Sequence, residues 1–394
     1  MKLLHLNNVY RPIGGSELYL YGICRELKKL GLESSIVHGS SDFLHDPDAV
    51  TNSYYVSKLD EFGGRTKRQL KAELQNIMDR EKPGLILLHN IHNPDVTEIV
   101  TCFGRVIKFV HDHELYCPKT TRMIGKDICT NCRPLNCVTK TLLSGRCSPF
   151  MGVRRRPWTI IRSAQQMFFN HAVHKKVDLF LVGTNFMKNT MVCFGYDAEK
   201  IVINPNFTFF PGHNNEGSEQ KNILFVGRID PAKGLDLLVD ILRRVEIDFK
   251  AFIIGTGSPE YEAALQEEVR KSGLSERVAF TGWIDNDKLA QYYKDAAVVA
   301  VPSIWPEPFG LVGIEAMAQS RPVVAFDVGG ISEWLEDKKT GFLVRRGDTE
   351  AFAEKIDLLL QDFSLRRTLG QNAYKRAAGL FNKQRHMEKL VSII

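Results

Sequence analysis

The sequence of 394 residues has no apolar run approaching the roughly 18–20 residues that a bilayer-spanning helix needs. No membrane-crossing segment is therefore expected. Strong charge bias is also missing: 52 Lys and Arg against 46 Asp and Glu leave a formal charge of +6. That mild excess is too weak to imply a nucleic-acid partner, although it suits a phosphate-bearing substrate or an anionic membrane surface. Cysteine is scarce for a chain of this length, eight in all, which excludes a disulfide scaffold. The N-terminus, "MKLLHLNNVY", lacks a long apolar region and a small-residue cleavage site. It reads instead as a first buried strand of a cytoplasmic protein. Disorder over most of the chain is excluded by 44% hydrophobic and 25% charged residues.

What is present is alternation. Short β-branched runs in the first half ("KLLHL", "SSIVHG", "LILLHN", "VIKFVHD", "LFLVGT") are followed by a second set ("NILFVG", "KAFIIGTG", "VAFTG", "VVAVPS", "PVVAF", "GFLV"). Segments such as "SELYLYGICRELKKLG" and "YEAALQEEVRKSG", with apolar residues three and four apart, lie between them. Strand, crossover helix, strand is the pattern of a buried parallel sheet. Two sets predict two doubly wound α/β domains, Rossmann-like, facing a central cleft. The boundaries expected are an N-domain over 1–205, an aperiodic Asn/Gly/Pro-rich linker over 206–221, and a C-domain over 222–380. Residues 381–394 form a last helix expected to pack back on the N-domain. Ligands of open parallel sheets bind outside the carboxyl ends of the strands.

In the second half, "FVGRIDPAKG" sets Arg228 and Lys233 in a turn beside a helix start, a suitable seat for a pyrophosphate, though an ordinary basic loop has the same composition. "PSIWPEPFGLVGIEAMA" is more specific. Glu307 and Glu315 bracket the small-residue loop Phe309, Gly310, Leu311, Val312, whose backbone N–H groups at a helix start can hold a phosphate or sugar oxygen. Carboxylates that accept from vicinal hydroxyls fit a ribose or a hexose, and the two could serve opposite ends of one elongated ligand.

These stretches, with "GTGSPE", "FTGW" and "PVVAFDVGGISEWLEDKKTGFLV", resemble the retaining glycosyltransferases of family four, which have the GT-B fold. The resemblance implies that the C-domain binds a nucleotide diphosphate sugar of UDP or GDP type. Arg228 and Lys233 would hold the diphosphate, Glu315 the ribose hydroxyls, and Glu307 the donor sugar. Trp283 and Ile284 would meet the base, and Gly255 and Gly257 would floor the site.

In the first half, "RPIGGSE" places Gly14 and Gly15 at a helix start, where the resemblance puts the donor's phosphates and the acceptor. His111 ends the strand "VIKFVH", and the resemblance makes it a contact for the donor sugar or its developing charge; Asp112 is a second candidate, for acceptor contact or for orienting His111. The implied reaction is front-face displacement with retention. The leaving phosphate, stabilised by Arg228 and Lys233, would help to deprotonate a saccharide or lipid-linked acceptor.

Five of the eight cysteines, Cys117, Cys129, Cys132, Cys137 and Cys147, crowd one stretch, expected as an insertion over about 117–147. The Cys129-x2-Cys132 spacing suits structural zinc or an iron–sulfur cluster held by four of the five, with His113 an outside candidate. A redox-sensitive pair and inert thiols are the alternatives. The family does not need a metal for catalysis. Beyond the cysteines, Arg154, Arg155, Arg156, Arg162, Lys175 and Lys176 lie among aromatics, as in a helix covering the sheet or one touching an anionic bilayer. Competing functions are a sugar-nucleotide epimerase or phosphorylase on the same fold, and a cysteine-cluster binding protein with a degenerate transferase fold.

Overall fold

Strands with no polar face mark sheets covered on both sides, and the central strands here are of that kind. The computed structural model describes residues 1–8, 15–39, 48–117, 120–125, 127–130, 137, 139, 169–208, 210, 212 and 218–394. Its contacts divide the chain into two units, Met1–Asn204 with Met387–Ile394, and Pro205–His386.

In the first unit the strands are β1 (Lys2–Asn7), β2 (Glu33–His38), β3 (Asn52–Tyr55), β4 (Leu85–Leu88), β5 (Val106–Val110), the two-residue β6 (Met123–Ile124) and β7 (Asp127–Ile128), β8 (Leu179–Val182) and β9 (Ile201–Ile203). Seven of them make one sheet in the order β3-β2-β1-β4-β5-β8-β9. All its pairings are parallel, whereas β6 and β7 pair antiparallel as a hairpin. Every residue of β4 and β5 is buried, as central strands require. The second unit holds β10 (Asn222–Val226), β11 (Lys250–Ile254), β12 (Val278–Gly282), β13 (Ala296–Val301), β14 (Val323–Phe326) and β15 (Gly341–Val344). Their order is β12-β11-β10-β13-β14-β15, again all parallel.

The helices are written for their faces. Leu235–Arg244 buries Leu235, Leu238, Val239, Ile241 and Leu242, with Asp236 in its first turn and Arg243 and Arg244 in its last. Acid at the start and base at the end complement the helix dipole. Two edge strands, β3 and β9, escape the sequence pattern: β9 is only three residues long, and the four residues of β3 include polar Asn52 and Ser53. Glu81, only 4% exposed at the end of the helix Gly64–Glu81, secures β3. It accepts from Ser35 on β2 and from Asn52 and Tyr54 on β3.

In each sheet the strand order reverses direction at one place, between β1 and β4 and between β10 and β13. Loops leaving the carboxyl ends of those strands diverge, and the opening they leave is where such sheets take ligands.

Candidate functional site

The turn after β10 and the loop after β13 are bolted together. Asp230 caps the turn by accepting from the Ala232 N–H at 2.8 Å. The Ala232 carbonyl accepts from the N–H groups of Ile304 and Trp305 at 3.0 and 3.3 Å. Gly234, at φ 72°, passes so close that a Cβ there would lie 1.9 Å from the Pro302 carbonyl oxygen. No larger residue fits. This clamp brings the Lys233 ammonium to 2.6 Å from Glu307 Oε1, and the Ser303 hydroxyl donates to the same oxygen at 2.6 Å. Lys233 also stands 5.3 Å above the Trp305 ring.

Glu307 is 4% exposed. Burial pushes its carboxyl up, but the charge of Lys233 and hydrogen bonds from Lys233 and Ser303 outweigh it, so the net shift is below the usual carboxylate range. An ionised acid beside a fixed cation results. Arg228, on the same turn, is exposed.

Glu315 lies on the helix Leu311–Ala318, whose entry residue Gly310 has φ 92°. Trp334 is wedged beneath: its indole N–H donates to the Phe309 carbonyl at 2.6 Å, and a Cβ on Gly313 would meet its ring at 2.0 Å. Among the described residues no carbonyl accepts from the N–H groups of Leu311 and Val312, so the helix start keeps two donors to offer. Tyr293 donates to Glu315 Oε2 at 2.8 Å. Burial raises the Glu315 carboxyl to about 7, with the Tyr293 bond pulling the other way. Glu307 and Glu315 are thus held in opposite electrostatic states, one ionised by a cation and the other poised near neutrality.

The remaining donor-side candidates sit at strand ends of the same sheet. Gly255 and Gly257 are demanded by backbone approach: a Cβ on either would lie 1.9 Å from a carbonyl oxygen, of Gly227 and Ile229 respectively. Trp283 is 51% exposed just beyond β12, and Ile284 is half-buried. Sequence reasoning passed over Ser303, Trp305, Tyr293 and Trp334. Ser303, Trp305 and Trp334 lie inside the motifs quoted above, whereas Tyr293 looks like a plain core residue.

In the first unit, His111 follows β5 and lines a pocket with His89, His92, Lys108, Asp112, Glu114 and His174. Burial, reinforced by the charge of Lys108, lowers His111 to about 4, so its ring is neutral at physiological pH. Its ring lies nearly parallel to those of Phe109 and His89, with centroids 6.0 and 6.1 Å away, and Tyr19 meets it edge-on at 5.4 Å. Its Nε2 has no partner among the described residues. Asp112 does not orient it: its Oδ1 accepts from the Glu114 N–H at 2.9 Å. His92, Asp112 and Glu114 place one potential metal ligand each within 4.8 Å of one another, and His92 Nδ1 already contacts the Glu114 carboxyl. Gly15 opens the helix Gly15–Lys29, and Gly14 lies outside the described residues.

Of the cysteines, Cys132 and Cys147 lie outside the described residues, as do Arg154, Arg155, Arg156 and Arg162. Cys117 and Cys129 are half-buried and Cys137 is buried. These three make no group of potential metal ligands among the described residues. His113 is fully buried and contacts the Tyr116 hydroxyl through Nδ1 at 2.6 Å. Lys175 and Lys176 are exposed. No described helix is long and apolar enough to cross a membrane.

Residues 13–208 match the family model described as Glycosyltransferase Family 4, and residues 206–376 match the one described as Glycosyl transferases group 1. Among curated proteins, the D-inositol 3-phosphate glycosyltransferase of Nocardia farcinica is 42% identical over 165 residues, 40% of this chain and 36% of that protein. The phosphatidyl-myo-inositol mannosyltransferase of Mycobacterium leprae is 37% identical over 150 residues, 37% of this chain and 39% of that protein. The chain thus spans well under half the length of these relatives. Among solved structures, a sucrose-phosphate synthase from Thermosynechococcus elongatus superposes with a TM-score of 0.74 at 20% identity, over 100% of this chain and 98% of that one. Anabaena HepE in complex with UDP superposes with a TM-score of 0.73 at 20% identity, over the whole of both chains. These likenesses establish the GT-B fold.

Proposed function

The chain belongs to the glycosyltransferases built from a family 4 module and a group 1 module, and from that premise we propose that it moves a sugar from a nucleotide diphosphate sugar to a saccharide or lipid-linked acceptor with retention at the anomeric carbon. The observation that carries this reading is the Lys233–Glu307–Ser303 cluster at the reversal point of the second sheet, with Glu315 eight residues further on. A diphosphate needs cations. Lys233 supplies one held by Glu307 and Arg228 an exposed one, and the two N–H groups of Leu311 and Val312 add neutral donors at a helix start.

Glu307, kept ionised, accepts from hydroxyls of the donor sugar and fixes its orientation. Glu315 accepts from the ribose. As the bond to the anomeric carbon breaks, negative charge gathers on the departing diphosphate, where Lys233 and Arg228 stabilise it more strongly than in the ground state. That phosphate then takes the acceptor's proton on the face from which it leaves. No carboxylate is required as nucleophile. A neutral His111 is suited to a hydrogen bond with the sugar rather than to proton abstraction. The UDP complex of HepE makes UDP sugars the first donors to try, with GDP sugars beside them.

The test is a thermal-shift screen over UDP and GDP sugars, followed by product analysis with the donor that binds. Lys233→Ala should lower kcat by about 10²–10³-fold, the scale set by removing one electrostatic stabiliser of the leaving group. Glu307→Ala should abolish measurable transfer. An α-linked product is expected from an α-linked donor. Full activity in either variant, or a β-linked product, would sink the mechanism.

A further inference from the structure

The Tyr293 hydroxyl is buried with the ring, at 0% exposure. It lies in the helix Asn286–Asp295, which runs directly into β13, so sheet backbone anchors the residue from one side. On another side Phe210 packs edge-on against the ring, with centroids 5.5 Å apart at 67°. A tyrosine that only filled volume would gain nothing from its hydroxyl, because a buried O–H is costly unless it is satisfied. The acceptor it has is Glu315 Oε2, at 2.8 Å. This is the single hydrogen bond to the Glu315 carboxyl from any described residue.

We propose that Tyr293 is a positioning residue for nucleotide recognition, holding one oxygen of Glu315 so that the carboxylate plane is fixed to accept from the vicinal hydroxyls of a nucleoside diphosphate's ribose. The inference rests on the ribose role given to Glu315 above. Phe210, 8% exposed, closes the apolar surround that keeps water from competing for the tyrosine hydroxyl. A vicinal diol discriminates by angle as well as distance, and a carboxyl free to turn about its last bond would lose entropy on each binding event.

The geometry has a pH consequence. Burial raises Glu315 to about 7, and the Tyr293 bond already works against that rise. Tyr293 is the titratable group that bears on it; no charged side chain among the described residues adds to the shift. Without the hydroxyl, Glu315 keeps its proton to higher pH, and a protonated carboxyl is a poorer acceptor for two hydroxyls at once.

Calorimetric titration of the full chain with UDP and GDP, and with their 2′,3′-dideoxy forms, between about pH 5.5 and about 8.5 tests this. In the unaltered protein, affinity for the ribonucleotide should rise with pH through about 7 and then level. Tyr293→Phe, which keeps the ring, should weaken ribonucleotide binding about tenfold at neutral pH, as for one lost hydrogen bond to a charged group. It should also move the rise to higher pH, with recovery at the alkaline end, and leave the dideoxy forms unaffected. Equal weakening of both nucleotide forms at every pH, or an unchanged profile, overturns the positioning role. The parent reading fails separately, and takes this inference with it, if Glu315→Ala leaves the preference for ribonucleotide intact or if neither nucleotide binds.

Discussion

Four histidines of the first unit are held as neutral rings: His5, His89 and His174 are buried, and His111 is half-buried. Burial is the leading cause in each, lowering His5 to about 3 and His111 to about 4 and leaving His89 and His174 well below the usual range. His5 contacts His89 Nε2 through Nδ1 at 3.1 Å and Ser34 through Nε2 at 3.2 Å, so its two ring nitrogens need one donor and one acceptor. A group whose folded pKa is depressed below its unfolded value near 6.5 contributes stability that is complete above that value and is lost as pH falls toward the folded pKa. Glu315 has the opposite sign. Its raised carboxyl favours the folded state below about 4.5, and that contribution is lost as pH rises through about 7. Differential scanning calorimetry should therefore find the first unit's transition falling steeply between about pH 6.5 and about 4. Replacing His5 by Gln, which carries a donor and an acceptor but does not titrate, should flatten that fall. An unchanged slope would mean that these rings do not govern acid stability.

At the scale of elements, the loops of the candidate site in the second unit owe their shape to glycines that approach other backbone or an aromatic ring. Gly329, at φ 62°, backs onto Glu307 so closely that a Cβ would lie 2.2 Å from its carbonyl oxygen, while the Gly330 N–H donates to that same oxygen at 2.7 Å. Gly329→Ala should therefore displace Glu307 itself. Gly313→Ala pushes on Trp334 instead, and overpacking of this kind costs about 1–3 kcal/mol. Both variants should melt earlier, but they separate kinetically: Gly329→Ala should lower kcat out of proportion to its loss of stability, and Gly313→Ala should not. Urea titration beside steady-state kinetics distinguishes them. The motif "PSIWPEPFGLVGIEAMA" stands out in the sequence as a candidate ligand site, because two acids flank a small-residue helix start. Tyr293 was not, because an aromatic on the apolar side of an amphipathic helix has the same sequence signature whether or not its hydroxyl serves a carboxylate. Asp112 ran the other way. Its neighbour suggested a pair with His111, and the chain turns it to the Glu114 amide instead.

At the scale of the whole molecule, the last residues, Met387–Ile394, belong to the first unit although the preceding chain belongs to the second. Met387 and Leu390 are buried, at 6% and 0% exposure, and Arg105 donates to the Ile393 carbonyl at 2.8 Å. Burying two such side chains is worth about 1.5–3 kcal/mol each. A chain ending at His386 should thus lose stability in its first unit while its second unit keeps its own transition, as read from two calorimetric peaks. The sequence by itself determined the two parallel sheets, since runs such as "LILL" and "AAVVAV" bury both faces of a strand, and it supplied the acids and cations of the candidate site. Only the tertiary structure decided that Lys233 and Glu307, 74 residues apart, would meet at 2.6 Å, and that the Tyr293 hydroxyl would donate to Glu315. The physical reason is the reversal in strand order. It brings the carboxyl ends of β10 and β13 together as neighbours, and no spacing along the chain encodes which strands will be adjacent.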